Sequence, residues 1–310
     1  MSCEGGGGAG NLYVVATPIG NLEDLTPRAE RVLGMVDIVA AEDTRLTGRL
    51  LKHFEIEARE LTSFHEHNEE SRSPELADRI ASGESVALVT DAGTPGISDP
   101  GFRLVRECRR RDIRILAVPG PCAAVAALSV SGMPTDRFAF LGFPPRGNAL
   151  VEWLDSHLAM EMTLVFYEGP SRILHLLRTL VELAPDSPVS LSREITKLYE
   201  DTRCDVPSKL LRHYEEHREQ LRGEFTCVIG PTSYRLEREE RPGDQDHASA
   251  QDPALEDESV LMGSIDLLLD SGYRPSEAVA VVARGHKVNR SDLYRFYQQW
   301  RDAARDDPEG

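Results

Sequence analysis

Lysine is nearly missing from this chain: Lys52, Lys197, Lys209 and Lys287 are the four in 310 residues, against a formal net charge of −17. Affinity for phosphate comes from local Lys and Arg, so binding of nucleic acid by bulk charge is excluded. A nucleic-acid partner needs a local basic surface, and arginine has to supply most of it. Cysteine is sparse as well. Cys3, Cys108, Cys122, Cys204 and Cys227 are scattered, odd in number and without a CxxC pair, which argues against a disulfide framework and a zinc cluster. They read as reduced thiols, and a cytoplasmic location is expected. No apolar run reaches the roughly eighteen residues that cross a bilayer, so a soluble protein without a membrane partner is expected. The opening MSCEGGGGAGN has neither a basic nor an apolar region; residues 1–10 are expected to be a flexible tail and not a secretory signal.

What is present is regular. LYVVAT (12–17) reads as a buried strand. LTPRAERVLG (25–34) reads as a helix with Thr26 as N-cap, Pro27 in its first turn and Gly34 closing it. DIVAAED (37–43) is a second strand, TRLTGRLLKHF (44–54) is helical and RELTSF (59–64) extended. SPELADRIASG (73–83) is a helix capped by Ser73 with Pro74 near its start. SVALVT (85–90) is a strand, then comes the arginine-rich helix ending at Arg111, and IRILAV (113–118) is a strand. This alternation predicts an α/β fold, with a mostly parallel sheet covered by helices over residues 11–119. The rhythm continues through helices at 122–130, 151–158, 171–183 and 206–217 and strands at 138–143, 163–167, 189–194 and 225–230, which gives a second α/β domain over 120–231. The boundary falls at Pro119–Pro121. Residues 232–257 are acidic and poor in large apolar side chains, as a disordered linker would be. Helical periodicity returns at 258–303. There Ala278, Val281 and Val282 precede a turn at Gly285, and Leu293, Phe296 and Tyr297 follow it. A helix-turn-helix-like module or a plain hairpin used for dimer packing would both fit.

Strand after strand of the first half ends in something richer than a turn: ATPIGN (16–21), AEDTR (41–45), SFHEHNE (63–69), TDAGTPGISDPG (90–101) and VPGPCAA (118–124). In an open parallel sheet ligands bind beyond the carboxyl ends of the strands, so these loops belong to one site. There is no GxGxxG after the first strand and no GxxxxGK[ST], which disfavours a dinucleotide and a nucleoside triphosphate. The glycines and prolines of residues 90–101 fit a loop whose main chain lies against a ligand, since glycine permits close approach and proline fixes shape.

TPIGNLEDLTPRA, AEDTR, SFHEHNE, TDAGTPGISDPG, PGPCAAVAAL and LVFYEGPSR together resemble the tetrapyrrole methylase superfamily, in its ribosomal branch. The resemblance runs from Leu12 to Gly230, and GHKVNRSDLY is similar to the short tail module of that branch. It implies two α/β domains with S-adenosylmethionine folded into the cleft between them, in a homodimer. It implies methylation of the ribose 2′-oxygen of a decoding-centre cytidine (cytidine 1402) of 16S ribosomal RNA in the small subunit. Carried over, Thr17, Pro18, Asp91, Gly93, Thr94, Pro95, Ile97, Cys122, Ala123, Tyr167, Glu168 and Phe225 would line the cofactor pocket. A tetrapyrrole acceptor, or a ribosome-assembly role without catalysis, stays open beside this. The linker is longer and more acidic than the resemblance implies.

Methyl transfer to a hydroxyl profits from a nearby base or cation. Glu42, Asp43, Asp91, His65, His67, Glu194 and Lys197 are the candidates, with Asp43, Glu42, His65 and Lys197 foremost. Each has a plainer use. Asp43 can cap a helix, Glu42 can pair with Arg45 or Arg49, and Asp91 can shape its own turn. His65 and His67 could share one side of an extended stretch. No third ligand follows them at a recognisable spacing, and no metal is expected. Arg45, Arg49, Lys52, Arg172 and Arg193 are the candidate RNA contacts, with Lys197 beside them. Arg284, His286, Lys287 and Arg290 could dock the tail module on ribosomal RNA.

Overall fold

A computed structural model of the protein describes residues 10–235, 258–270, 273–286, 293–298 and 300–301. The remaining stretches, among them most of the expected tail and linker, lie outside the described residues. So do Lys287 and Arg290 and the side chains of Arg284 and His286. The chain divides into two compact units, Met1–Glu237 and Arg238–Gly310.

The first unit contains two sheets. In the first sheet β1 (Leu12–Val15) is followed by α1 (Pro27–Met35), β2 (Ile38–Ala41), α2 (Thr44–His53) and β3 (Glu60–Ser63). Then come α3 (Glu69–Ala81), β4 (Val86–Val89), α4 (Phe102–Arg110) and β5 (Ile115–Val118). The strand order is β3-β2-β4-β1-β5, and every pairing is parallel. Burial on both faces explains the unbroken apolar runs of β2 and β4. Val15, Val39, Ala87 and Val89 face a cluster that takes in Val32 and Leu33 of α1 and Leu51 of α2. Leu12, Ile38, Val86 and Leu88 face Leu76 and Ile80 of α3 and Leu104 of α4. Each such Leu, Ile or Val contributes about 1.5–3 kcal/mol by leaving water.

The helix starts differ in part from expectation. Thr26 does cap α1, its Oγ1 accepting from the Ala29 N–H at 3.1 Å, but Gly34 lies inside the helix and does not close it. α3 begins at Glu69, one turn before Ser73. Asn68 Oδ1 accepts from the His65 N–H (2.8 Å), and its amide nitrogen donates to the Ser63 carbonyl (3.3 Å). This side-chain turn launches the helix early. Ser73 then donates to the Glu69 carbonyl (2.6 Å) from within it, and Pro74 sits one turn in.

The second sheet is built from α5 (Ala123–Val130), β6 (Phe138–Phe140), α6 (Ala149–Leu158), β7 (Thr163–Glu168), α7 (Ile173–Leu183), β8 (Val189–Arg193), β9 (Asp201–Asp205), α8 (Pro207–Glu216) and β10 (Phe225–Ile229). Its order is β6-β7-β10-β8-β9; β6 and β7 are parallel and the other pairings antiparallel. Strand β9, DTRCD, was not expected from sequence, because an edge strand of polar residues leaves no apolar alternation to read. Phe166, Leu176, Leu180, Leu191, Leu210, Tyr214 and Cys227 fill one face. Ala127, Leu128, Val165 and Val228 join α5 to the other.

In the second unit α9 (Glu258–Asp270) and α10 (Pro275–His286) pack with the helical stretch 293–298 around Leu261, Ile265, Ala278, Val279, Val282, Leu293 and Tyr297. Gly285 belongs to the last turn of α10 and is not the turn itself. Val281 is exposed, one step off the buried stripe.

Candidate functional site

A parallel sheet delivers all its strand ends to one edge, and a cavity of about 370 Å³ opens there. From the first sheet it is lined by Ile19 after β1, Glu42 after β2, residues 91–94 and 97–99 after β4, and Cys122 and Ala123 after β5. From the second come Phe143, the turn from Tyr167 to Pro170, Ile195, Lys197 and the stretch Gly223–Thr226. Of the twelve residues expected in the cofactor pocket, Asp91, Gly93, Thr94, Ile97, Cys122, Ala123, Tyr167, Glu168 and Phe225 line it. Thr17, Pro18 and Pro95 are buried and do not line it.

Thr17 holds the loop that does line it. Thr17 and Gly93 exchange backbone bonds, N–H to carbonyl, at 2.9 and 3.0 Å, and the Thr17 hydroxyl donates to the Thr90 carbonyl at 3.0 Å. Thr94 Oγ1 donates to the Pro121 carbonyl at 3.2 Å, tying the loop to the segment that joins the two sheets. Gly93 has φ +93°, which side-chain-bearing residues avoid. A Cβ there would lie 3.4 Å from Ile19 Cγ2.

Three carboxylates meet at the cavity wall. Glu42 does not pair with Arg45 or Arg49. Its Oε2 accepts from the Thr90 hydroxyl at 2.5 Å and from the Asp91 N–H at 3.3 Å. Asp91 Oδ1 accepts from the Asp43 N–H at 3.0 Å, so it ties strand ends β2 and β4 together as well as lining the cavity. Its pKa is raised, by burial first and then by Glu42 and Asp43. Asp99, which sequence reasoning missed, is pushed up to about 7 by burial and by the charges of Glu42 and Asp91. The signal was the aspartate of GISDPG, in the loop already singled out. A turn-forming Asp before Pro looks the same in sequence whether it faces water or a cavity.

Asp43 and His65 are not in the cavity. Asp43 is the N-cap of α2: Oδ1 accepts from the Arg45 N–H at 2.8 Å, and the Arg45 guanidinium grips both oxygens and holds the carboxyl far below its usual range. His65 follows β3, the edge strand farthest from β5, which leaves β2 between it and the rest of the site. Its Nε2 lies 3.3 Å from Asn68 Nδ2, and its Nδ1 is buried without a partner. His67 lies beside it, ring centroids 6.0 Å apart.

The second sheet contributes a row across its ladder. Phe225 of β10 stands opposite Glu168 of β7 on one side and Arg193 of β8 on the other. Glu168 is 3% exposed and ion-paired with Arg172; burial raises its pKa, and the Gly169 N–H (2.7 Å) and Arg172 pull it back. Arg172 is thereby engaged at the cavity, and Arg193 is half-buried. Burial raises the Tyr167 phenol. Lys197 Nζ donates to Glu194 Oε1 and Glu224 Oε2, both at 2.9 Å; burial works against its charge, and these bonds outweigh it and raise its pKa. The stem of Lys197 covers Gly20, where a Cβ would fall 2.4 Å from Lys197 Cγ. Among the RNA candidates Arg45, Arg49 and Lys52 are exposed along α2. Among the described residues no group of three or more His, Cys, Asp or Glu could hold a metal ion.

The family model described as Tetrapyrrole (Corrin/Porphyrin) Methylases matches residues 11–207. The chain is 39% identical over 289 residues to the Ribosomal RNA small subunit methyltransferase I of Escherichia coli O157:H7, covering 93% of this chain and 94% of that one. It is 38% identical over 291 residues to the protein of the same name from Halalkalibacterium halodurans, covering 94% and 95%. Among solved structures it shares its fold with diphthine synthase (TM-score 0.53, 14% identity, 71% of this chain and 89% of that one). The cobalamin biosynthetic enzyme cobalt precorrin-4 methyltransferase is also similar (TM-score 0.50, 16%, 72% and 95%).

Proposed function

The chain belongs to the tetrapyrrole (corrin/porphyrin) methylase family, and on that footing we propose that it transfers the methyl group of S-adenosylmethionine to a ribose 2′-hydroxyl of 16S ribosomal RNA, at the decoding-centre cytidine. The observation that carries this reading is the near full-length similarity to the ribosomal RNA small subunit methyltransferases. The cavity supports it. At about 370 Å³ it has the size of a small-molecule site, and the close main chain at Gly93 leaves room that a side chain would fill. Its carboxylates, Glu42, Asp91 and Asp99, suit a cationic ligand. No cluster for a metal is present among the described residues, and the reading needs none.

When bound there, the donor supplies an electrophilic methyl group on a positively charged sulfur. The chain's own part is first to position. Loops fixed by the Thr17–Gly93 and Thr94–Pro121 bonds hold one reactant, and the second sheet closes the other side. Ideal positioning is worth about 7–11 kcal/mol of barrier. The second part is to receive the hydroxyl proton. Asp99, with a pKa of about 7, is matched to that task near neutral pH, at roughly 10²–10⁴-fold in rate. Asp43 is not, since Arg45 holds its carboxylate. Exposed Arg45, Arg49 and Lys52 on α2 are the proposed phosphate contacts.

The proposed assembly is a homodimer, for which Val125 and Val130, 57% and 58% exposed on α5, offer apolar surface to cover. No helix among the described residues is long and apolar enough to cross a membrane. The test is incubation with methyl-labelled S-adenosylmethionine and small subunits from a strain lacking the modification. Label in a ribose 2′ position is the expected result. Label that enters only a tetrapyrrole acceptor, or none at all with subunits still bound, would replace this reading by a corrin-pathway enzyme or an assembly factor.

A further inference from the structure

The turn between β8 and β9, residues 194–200, is built more firmly than a connection between two neighbouring strands requires. Glu194 and Thr196 both have left-handed backbone, φ +51° and +65°. Several bonds hold them so. The Thr196 N–H donates to Glu200 Oε2 (2.7 Å), the Lys197 N–H to the Glu194 carbonyl (2.9 Å) and the Glu200 N–H to the Lys197 carbonyl (3.1 Å). Thr196 Oγ1 donates to Asp24 Oδ2 at 2.6 Å, anchoring the turn to the segment after β1 in the other sheet. Ile195 and Lys197 line the cavity. What this scaffold then presents to water is apolar: Leu198 is 88% exposed and Tyr199 70%, above the other large apolar side chains among the described residues.

We propose that Tyr199, with Leu198 beside it, is a stacking platform for an unpaired nucleobase of the RNA next to the nucleotide being methylated. The inference rests on the reading of the cavity as a ribosomal RNA methylation site. An aromatic ring held in place by a prefolded turn loses little freedom on binding, and single-stranded RNA is recognised by stacking splayed bases on such rings. Charge points to a base face and not to a phosphate. The one lysine of the turn is neutralised between Glu194 and Glu224, and Glu200 and Asp201 follow, so the tip offers apolar contact without a free cation. Continuity with the cavity makes the occupant a part of the substrate, since a ribose entering beside Lys197 brings its flanking bases against the next two residues.

Tyr199→Ala is the test, in the full-length protein with undermethylated small subunits. Losing one base stack corresponds to a roughly five- to hundredfold rise in KM, with kcat and donor affinity unchanged. Tyr199→Trp and Tyr199→Phe should keep the wild-type KM, which a merely structural role for the hydroxyl or the turn would not allow. Wild-type KM in Tyr199→Ala would overturn the proposal. So would a variant that sediments as a monomer where the wild type is a dimer, because the tip would then cover a second copy. If the wild type itself methylates no ribosomal RNA, it is the reading of the site that fails; the platform is tested independently by quenching of a Tyr199→Trp fluorophore with an unstructured oligoribonucleotide.

Discussion

The two sheets of the first unit reach the same cavity by different means. The parallel sheet sends every strand the same way, so each connection that follows a strand arrives at one edge, and the wall it makes is shaped by main chain at Gly93–Thr94, held by the Thr17–Gly93 bridge and the Pro121 carbonyl. The mixed sheet changes direction along its order, so the ends of β6, β7 and β8 meet the beginnings of β9 and β10 at that edge. It contributes the side chains of Glu168 and Phe225, with Arg193 next to them in the row, held by pairing across strands. A wall of main chain is broken by adding a side chain, and a wall of side chains by removing one.

The largest expected effect belongs to the second wall. Arg172→Ala takes the ion-pair partner from Glu168, 3% exposed, and leaves its buried charge with the Gly169 N–H. The cost should be about 3–5 kcal/mol, read from denaturant unfolding of the purified chain. In a Glu168→Gln background most of that cost should vanish; an undiminished cost would mean that Arg172 acts through packing and not through the pair.

Next comes the first wall. Gly93→Val places a β-branched residue at φ +93°, a strain of about 1–3 kcal/mol, and pushes bulk toward Ile19 and the cavity. Donor affinity measured by calorimetry should fall roughly five- to hundredfold or more. Gly93→Ala separates the causes, since a lone Cβ meets Ile19 Cγ2 at an acceptable 3.4 Å and feels mainly the backbone strain. Equal affinity for the Gly and Val forms would show that the main chain at this point does not shape the site.

The same contrast explains what could be read from sequence. Apolar runs bounded by TPIGN, AEDTR, TDAGTPG and PGPC place a parallel sheet and its ligand edge together, because in that topology the residue after a strand is already at the site. Position along the sheet is not written there, which is why SFHEHNE looked equal to the others although β2 separates β3 from the rest of the site and His65 stands outside the cavity. In the second sheet the pairing of β10 between β7 and β8 had no local signal, so Glu224 was not foreseen, and β9 has no apolar pattern at all. Asp43 is legible both as a cap and as a catalyst; the bonds to the Arg45 N–H and guanidinium show the cap.

The smallest effect on stability concerns Asp99, where the loop of the first wall carries a side chain that behaves like the second. Its folded pKa of about 7 lies above the 3.8 of an unperturbed aspartate, so between those limits the folded chain holds a proton that the unfolded chain has released. Stability therefore falls as pH rises through that window, is fully restored below it, and stays at its lower level above pH 7. Partial exposure screens the effect to about 1 kcal/mol. Asp99→Asn should remove this slope from the melting temperature between pH 5 and 8, and with it the acid limb of methylation activity, while donor binding at pH 8 stays within a few-fold. An unchanged pH profile in both measurements would move the proton acceptor to Glu42 or Asp91, whose bonds to Thr90 and to the Asp43 N–H then become the ones to cut.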